Sequence, residues 1–206
     1  MRMLDYVRAK RLLDRYGIRS VRSAYVRTAA DAVAFAGGKA IVLKLISGKA
    51  VHKSREGLVK LNLREKGEIS AAFAYLARRG ARLKPYGILA QAMAEPGVEV
   101  IMGGNTDKQF GKTLLVGLGG IYVETFRDVT MRLCPINRSD ALGMLLDLKS
   151  GKIITNDGKS TAMIASLLLK VSRLLVENDK IVELDLNPVI VREGSYDAVD
   201  IRMMVV

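Results

Sequence analysis

Several residues in this chain are of types and at spacings that could do chemistry. Lys44 stands inside the apolar run "AIVLKLI", residues 40–46. A buried ammonium is costly unless an anion pairs with it. Such a lysine therefore holds a bound anion, pairs with a carboxylate, or snorkels to water from a strand end. Asp185 and Asn187 in "LDLNPVIV" are two apart, so on a strand they share one face. Two hard oxygen donors side by side suit Mg²⁺, which takes few protein ligands. A turn near Gly194 would bring Asp200 back close to Asn187. The same three residues also read as a polar cluster around Pro188. Gly119 and Gly120 in "GLGGIYVE" follow a strand, where backbone N–H groups can approach a phosphate, though a glycine pair there also reads as a plain turn. Glu99, among apolar neighbours in "VEVIMG", can accept from ribose hydroxyls or simply mark a sheet edge. His52 is the only histidine. A second His or a Cys cluster for zinc is missing, as is the G-x-S-x-G of a serine hydrolase. A lone histidine commonly reads as a surface or structural residue; the chemical reading left open is a nucleophilic imidazole that accepts a phosphoryl group.

These groups must be positioned by a mixed set of elements. Leu4, Val7, Leu12, Leu13 and Tyr16 fall near helical spacing, with Gly17 ending the helix. Residues 21–26 and 40–46 read as strands, with a helix from Thr28 to Phe35 between them. A polar loop (47–57) leads to an alternating strand (58–63) and a helix over roughly 67–79. Pro85 and Gly87 mark a break. Strands at 87–93 and 98–103 around "EPG" make a hairpin pattern. Further strands are expected at 113–120, 121–126 and 128–136. Ser139 is expected to cap a helix at 140–148, and another spans 160–177. The end of the chain reads as two strands around a turn near Gly194.

The composition narrows the class. With 206 residues, half of them hydrophobic and 26% charged, the chain can bury a sizeable core. No apolar run approaches the roughly 20 residues of a membrane span. A single cysteine, Cys134, allows no internal disulfide and fits a cytoplasmic protein. The net charge of +12 is unevenly spread. Residues 1–84 hold 20 Lys/Arg and 6 Asp/Glu, while residues 85–206 hold 13 and 15. A basic lobe facing a carboxylate-bearing lobe suits a nucleotide–Mg²⁺ complex. A nucleic-acid module is disfavoured, because aromatics are few and no RNA- or DNA-binding motif is present.

Taken in order, the lysine in a core strand, "HKS", "Q-x-M", "G-x-E-V-I-x-G", "QFG", "GLGGIYVE", "R-x-x-P-I", "DLNPV" and a final "AVD" resemble one family. It is the ATP-grasp β chain of ADP-forming acyl-CoA (acetyl-CoA) synthetases, relatives of succinyl-CoA synthetase. The resemblance runs from about Leu12 to Val205. It implies an α+β, ATP-grasp fold, with a basic N-lobe (1–86), a C-lobe (87–206) and a nucleotide bound between them. It implies that Lys44 holds nucleotide phosphates, that Gln91, Ala92 and Met93 read adenine, and that Glu99 binds ribose. Gly119, Gly120 and Arg132 become phosphate ligands, and Asp185, Asn187 and Asp200 the Mg²⁺ set. His52 becomes a phosphoryl carrier between a phosphohistidine of a CoA-binding α partner and ADP. The cofactors implied are ATP/ADP and Mg²⁺, and the assembly α₂β₂.

The sequence departs from the family pattern in three places. After "HKS" the usual Asp and two glycines are Arg55, Glu56, Gly57 and Leu58. At the hinge, "Q-E-M" is Gln91-Ala92-Met93. The "G-x-R-G" loop is replaced by "TNDGKS" (155–160), with Lys159 its cation. A diverged subunit that binds nucleotide or a partner without catalysis is the alternative these departures raise.

Overall fold

The computed structural model describes residues 1–47, 57–120, 128–149, 151–154 and 157–206. The chain forms two compact units, Met1–Ser20 with Ala94–Val206, and Val21–Met93. This division differs from the one expected at 86/87. The N-terminal helix belongs with the second half of the chain, because the first strand pairs with the last.

In the larger unit, β1 (Arg2–Met3) pairs antiparallel with β11 (Ile201–Val205). Helix α1 (Tyr6–Arg15) is capped by Asp5, whose carboxylate accepts from the N–H groups of Val7 and Arg8 at 3.0 and 3.3 Å. It ends as expected at Gly17 (φ +63°). The Gly17 N–H donates to Asp14 O and the Ile18 N–H to Leu13 O, both at 3.0 Å, the double bond of a glycine-terminated helix.

The remaining strands of this unit are β6 (Val98–Asp107), β7 (Gly111–Leu118), β8 (Val129–Leu133), β9 (Ile181–Arg192) and β10 (Ser195–Ala198). Among the described residues they form a seven-stranded sheet in the order β1-β11-β9-β6-β7-β8, with β10 on β9. Besides α1, the helices of this unit among the described residues are α4 (Arg138–Leu146), α5 (Gly151–Ile154) and α6 (Gly158–Val176). The apolar stripe of α6, including Ile164, Leu168, Val171 and Leu175, is buried. It packs against β6 and β7, where a Cβ on Gly104 would stand 3.0 Å from Leu175 Cδ2. The cap of α4 is Asn137, not Ser139. Asn137 accepts from the Asp140 N–H at 3.0 Å while Asp140 accepts from the Asn137 N–H at 2.8 Å, a reciprocal box that starts the helix two residues early.

Among the described residues the smaller unit holds a four-stranded sheet, β2 (Ser23–Val26), β5 (Tyr86–Ala92), β3 (Ile41–Ser47) and β4 (Val59–Leu63) in that order. Helices α2 (Ala29–Ala36) and α3 (Lys66–Gly80) cover one face. Their core is Ala32, Ala36, Ile69, Ala72 and Leu76 against Val26, Leu43, Leu45, Ile88 and Ala90. Thr28 and Asp31 cap α2 as a box, and Gly37 stops it at φ +55°.

The hairpin expected around "EPG" does not form. β5 pairs with β2 and β3, whereas β6 pairs with β7 and β9. Alternation of apolar residues marks both strands but does not say which sheet each joins. The strand expected at 121–126 lies outside the described residues.

Candidate functional site

Lys44 sits mid-strand in β3 and is only 6% exposed. Its register partners are Leu89 on β5 and Val59 on β4, and Val42 lies opposite Gln91. Directly opposed residues project to the same side. Since Leu43, Leu45, Ile88 and Ala90 face α2 and α3, Lys44 and Gln91 share the opposite face of the sheet. Gln91 is fully buried, and Met93 is 38% exposed. The Ala92 N–H donates to Arg22 O at 2.9 Å and the Met93 N–H to Ala40 O at 3.4 Å, so the strand end at 91–93 is tied to both of its neighbours.

In the larger sheet, the face that α6 leaves open carries the other candidates. Gly103 on β6 lies opposite Asp185 on β9, and Asp185 lies opposite Arg202 on β11. Leu184 and Leu186 point the other way, into the core. The strand end follows the expected plan: β9 turns at Glu193–Gly194 (φ +63°) into β10. The Asn187 N–H then donates to Asp200 O at 3.3 Å, and the Val199 N–H to Pro188 O at 2.9 Å. Asp185, Asn187 and Asp200 therefore come together. Among the described residues no three His, Cys, Asp or Glu side chains cluster as metal ligands. Two carboxylates and an amide, with Asn187 exposed and Asp185 and Asp200 half-buried, fit the small all-oxygen donor set of Mg²⁺.

Glu99 is brought against the glycine pair. The Gly119 N–H donates to Glu99 O at 2.6 Å. A Cβ on Gly119 would lie 2.8 Å from the Glu99 carbonyl carbon, and one on Gly120 (φ +73°) 3.0 Å from Glu99 Oε2. Gly119 is thus required by close approach to the Glu99 backbone, and Gly120 by its backbone angle.

Arg132 is not brought into this group. It lies opposite Leu114, on the helix-covered face of β8, and its guanidinium pairs with Asp147 at the end of α4. Lys159 is about four-fifths exposed, and its 3.7 Å pair with Glu193 is of the weak surface kind. His52, Arg55 and residues 155–156 lie outside the described residues.

One cluster had no sequence signal. Asp197 on β10 pairs with Arg192 at 2.5 Å and with Arg19 at 3.1 Å. Arg19 Nε also donates to Tyr196 O at 2.8 Å, and its backbone N–H to the Tyr196 hydroxyl at 3.2 Å. Burial pushes the Tyr196 hydroxyl above its ordinary pKa, against the opposing pull of Arg19. Arginines and an aspartate far apart in sequence carry no period or motif, so only the tertiary fold reveals them.

The geometry is that of a known class. A model of the ATP-grasp domain family matches residues 1–205. The β subunit of ADP-forming acetate–CoA ligase I from Pyrococcus furiosus is 36% identical over 206 residues, covering 95% of this chain and 89% of that one. Acetyl-coenzyme A synthetase 1 of Ca. Korarchaeum cryptofilum, solved with coenzyme A, Ca-AMPCP and HgCl⁺, superposes with a TM-score of 0.91 at 37% identity, covering 100% of this chain and 94% of that one. A second structure of that synthetase holds coenzyme A and Mg-AMPPCP, with its phosphohistidine segment pointing towards the nucleotide binding site. It superposes at 0.84 with 36% identity, covering 100% of this chain and 93% of that one. The chain belongs to the ATP-grasp family and, within it, to the β subunits of ADP-forming acetate–CoA ligases.

Proposed function

We propose that this chain is the nucleotide-binding β subunit of an ADP-forming acyl-CoA synthetase. With a CoA-binding α partner it catalyses acyl-CoA + ADP + phosphate ⇌ acid + CoA + ATP. Lys44 neutralises nucleotide phosphates, the 91–93 segment takes the adenine, and Glu99 takes the ribose beside the Gly119–Gly120 turn. Asp185, Asn187 and Asp200 hold Mg²⁺, which when bound offsets charge on the phosphates. Arg132 is left out of the phosphate set, since its guanidinium is engaged with Asp147 on the helix-covered face.

His52 is the phosphoryl carrier. One ring nitrogen takes the phosphoryl group from a phosphohistidine of the partner chain, whose N–P bond breaks as the new one forms. A β-phosphate oxygen of ADP then attacks the phosphorus, the His52 N–P bond breaks, and ATP leaves. Such a transfer needs positioning and charge neutralisation more than covalent machinery. The assembly is α₂β₂ and cytoplasmic. Among the described residues no helix is long and apolar enough to cross a membrane.

The observation that carries the reading is the gathering of Asp185, Asn187 and Asp200 at one strand end, in a chain that matches a β subunit over nearly its whole length. The test is the intact mass of the chain after incubation with Mg-ATP, at neutral pH and again after acid. An acid-labile phosphoryl adduct on His52 supports the carrier role. Full acyl-CoA-dependent ATP synthesis by an assembled complex carrying His52→Ala overturns it and leaves a subunit that binds without transferring.

A further inference from the structure

The Asp197 cluster lies where the chain leaves the larger unit, after Ser20, and where it returns, at Ala94. Arg19 is fastened to β10 along its length. Its carbonyl accepts from the Ala198 N–H at 3.1 Å, its side chain reaches Tyr196 O and Asp197, and Ser20 bridges to Ala198 in parallel. Arg192 reaches the other way. It donates to Asp197 at 2.5 Å and to Glu95 O at 3.2 Å, and a Cβ on Gly97 would stand 2.9 Å from its Cγ. The carboxylate thus joins the departing segment to the β9–β10 hairpin, and Arg192 carries the link on to the returning segment. Its side chain is 18% exposed and that of Arg192 is 23% exposed, so the pair is partly shielded from water.

The register makes this cluster a neighbour of the nucleotide residues. Asp197 lies opposite Ile190, and Ile190 lies opposite Glu99. Asp197 and Glu99 therefore stand in one cross-strand row on one face, two strand spacings or roughly 10 Å apart. Three residues beyond Asp197, the connection from β10 to β11 delivers Asp200 to Asn187.

We infer that Asp197 is a positioning residue for nucleotide and metal binding, held between Arg19 and Arg192 so that Glu99 and Asp200 are presented in fixed register. The inference rests on the roles of Glu99 and Asp200 proposed above. Removing the negative charge leaves two guanidinium groups flanking the same point, and their repulsion drives the departing segment off the hairpin. That displacement passes along β10 into the short connection that carries Asp200.

The test is equilibrium titration of the purified full chain with ADP, at low and at saturating Mg²⁺. Asp197→Asn is expected to raise the Kd for Mg-ADP roughly 10- to 100-fold, the usual cost of losing a group that orients ligands. It also raises the Mg²⁺ concentration needed for half-maximal ADP binding, and Asp197→Glu restores most of both. Arg19→Gln, at a half-exposed position that folding tolerates, weakens binding in the same direction. Glu177→Gln, which breaks an ion pair with Arg173 elsewhere in this unit, lowers Tm without moving either quantity. If Asp197→Asn and Arg19→Gln lower Tm while the Kd and Mg²⁺ dependence stay put, Asp197 is only a structural tie and the inference falls. If the native chain binds no Mg-ADP, the nucleotide reading fails first and takes this inference with it.

Discussion

Glu99 and Gly120 stand in close approach: a Cβ on Gly120 would lie 3.0 Å from Glu99 Oε2, so the carboxylate would have to move to admit it. The carboxylate and the glycine turn are neighbours, built by the start of β6 and the end of β7. Gly120→Ala should therefore act twice. The residue holds φ +73°, where a Cβ costs about 1–2 kcal/mol, and the new methyl pushes Glu99 aside. Thermal melting should fall, and the Kd for Mg-ADP should rise. A variant that melts lower but binds nucleotide normally would separate the turn from the ribose contact.

Lys44 is the second point of test. Lys44→Met keeps the length of the side chain and removes its charge at a position 6% exposed. Removing a buried polar group also strips its interaction partners of their contact, which destabilises the fold. Tm should fall, and nucleotide affinity should drop roughly 10- to 100-fold, the scale of one charge-assisted hydrogen bond. The comparison with adenosine discriminates: its binding should be unaffected, because it has no phosphate for Lys44 to meet.

At the two ends of α6, Asp157 and Glu177 set an acid response. The Ser160 hydroxyl, at 2.6 Å, and its N–H hold the Asp157 carboxyl below its usual range. The Arg173 hydrogen bond, then that of Tyr16, does the same for Glu177. For both groups the folded-state pKa lies below the unfolded one. Their contribution is therefore present above the ordinary carboxylate pKa of about 4 and is lost as pH falls through the folded value. Tm should be flat from neutral pH to about 5 and decline below about 4. Asp157→Asn should melt lower than the native chain at pH 7, with the difference closing as pH falls through the lowered folded pKa of Asp157, since both caps are then uncharged.

The start of α4 offers a test of local structure alone. Asn137→Ala should destabilise the chain by about 1 kcal/mol, the usual value of an N-cap. Ser139→Ala, one turn position inside the helix, should stay within about 0.5 kcal/mol. Chemical denaturation of the two variants decides which residue caps the helix.

The elements were largely legible in the sequence because each is written locally. Gly17 ends α1, Thr28 opens α2 and the β9–β10 turn falls at Gly194, all by short-range backbone chemistry. Asp185 and Asn187 were legible for the same reason, since two residues apart on a strand is a geometric statement in itself. Asp200 near Asn187 followed from the length of the turn between them. The cap of α4 was missed because Asn137 and Ser139 both carry capping side chains, and only the reciprocal bond with Asp140 distinguishes them.

What the sequence determined by itself is the set of chemical groups and the strands that carry them: a lysine in an apolar strand, two oxygen donors on one face, glycines at a strand end. What the tertiary structure alone decided is pairing. It sent β5 and β6 to different sheets, joined β1 to β11 so that α1 belongs with the C-terminal half, and turned Arg132 to the helix side. It also closed Asp197 between Arg19 and Arg192. The physical reason is that strand pairing and ion pairing act between residues distant in the chain. Their choice depends on the competition of all possible partners for one core, a competition that no local window of sequence contains.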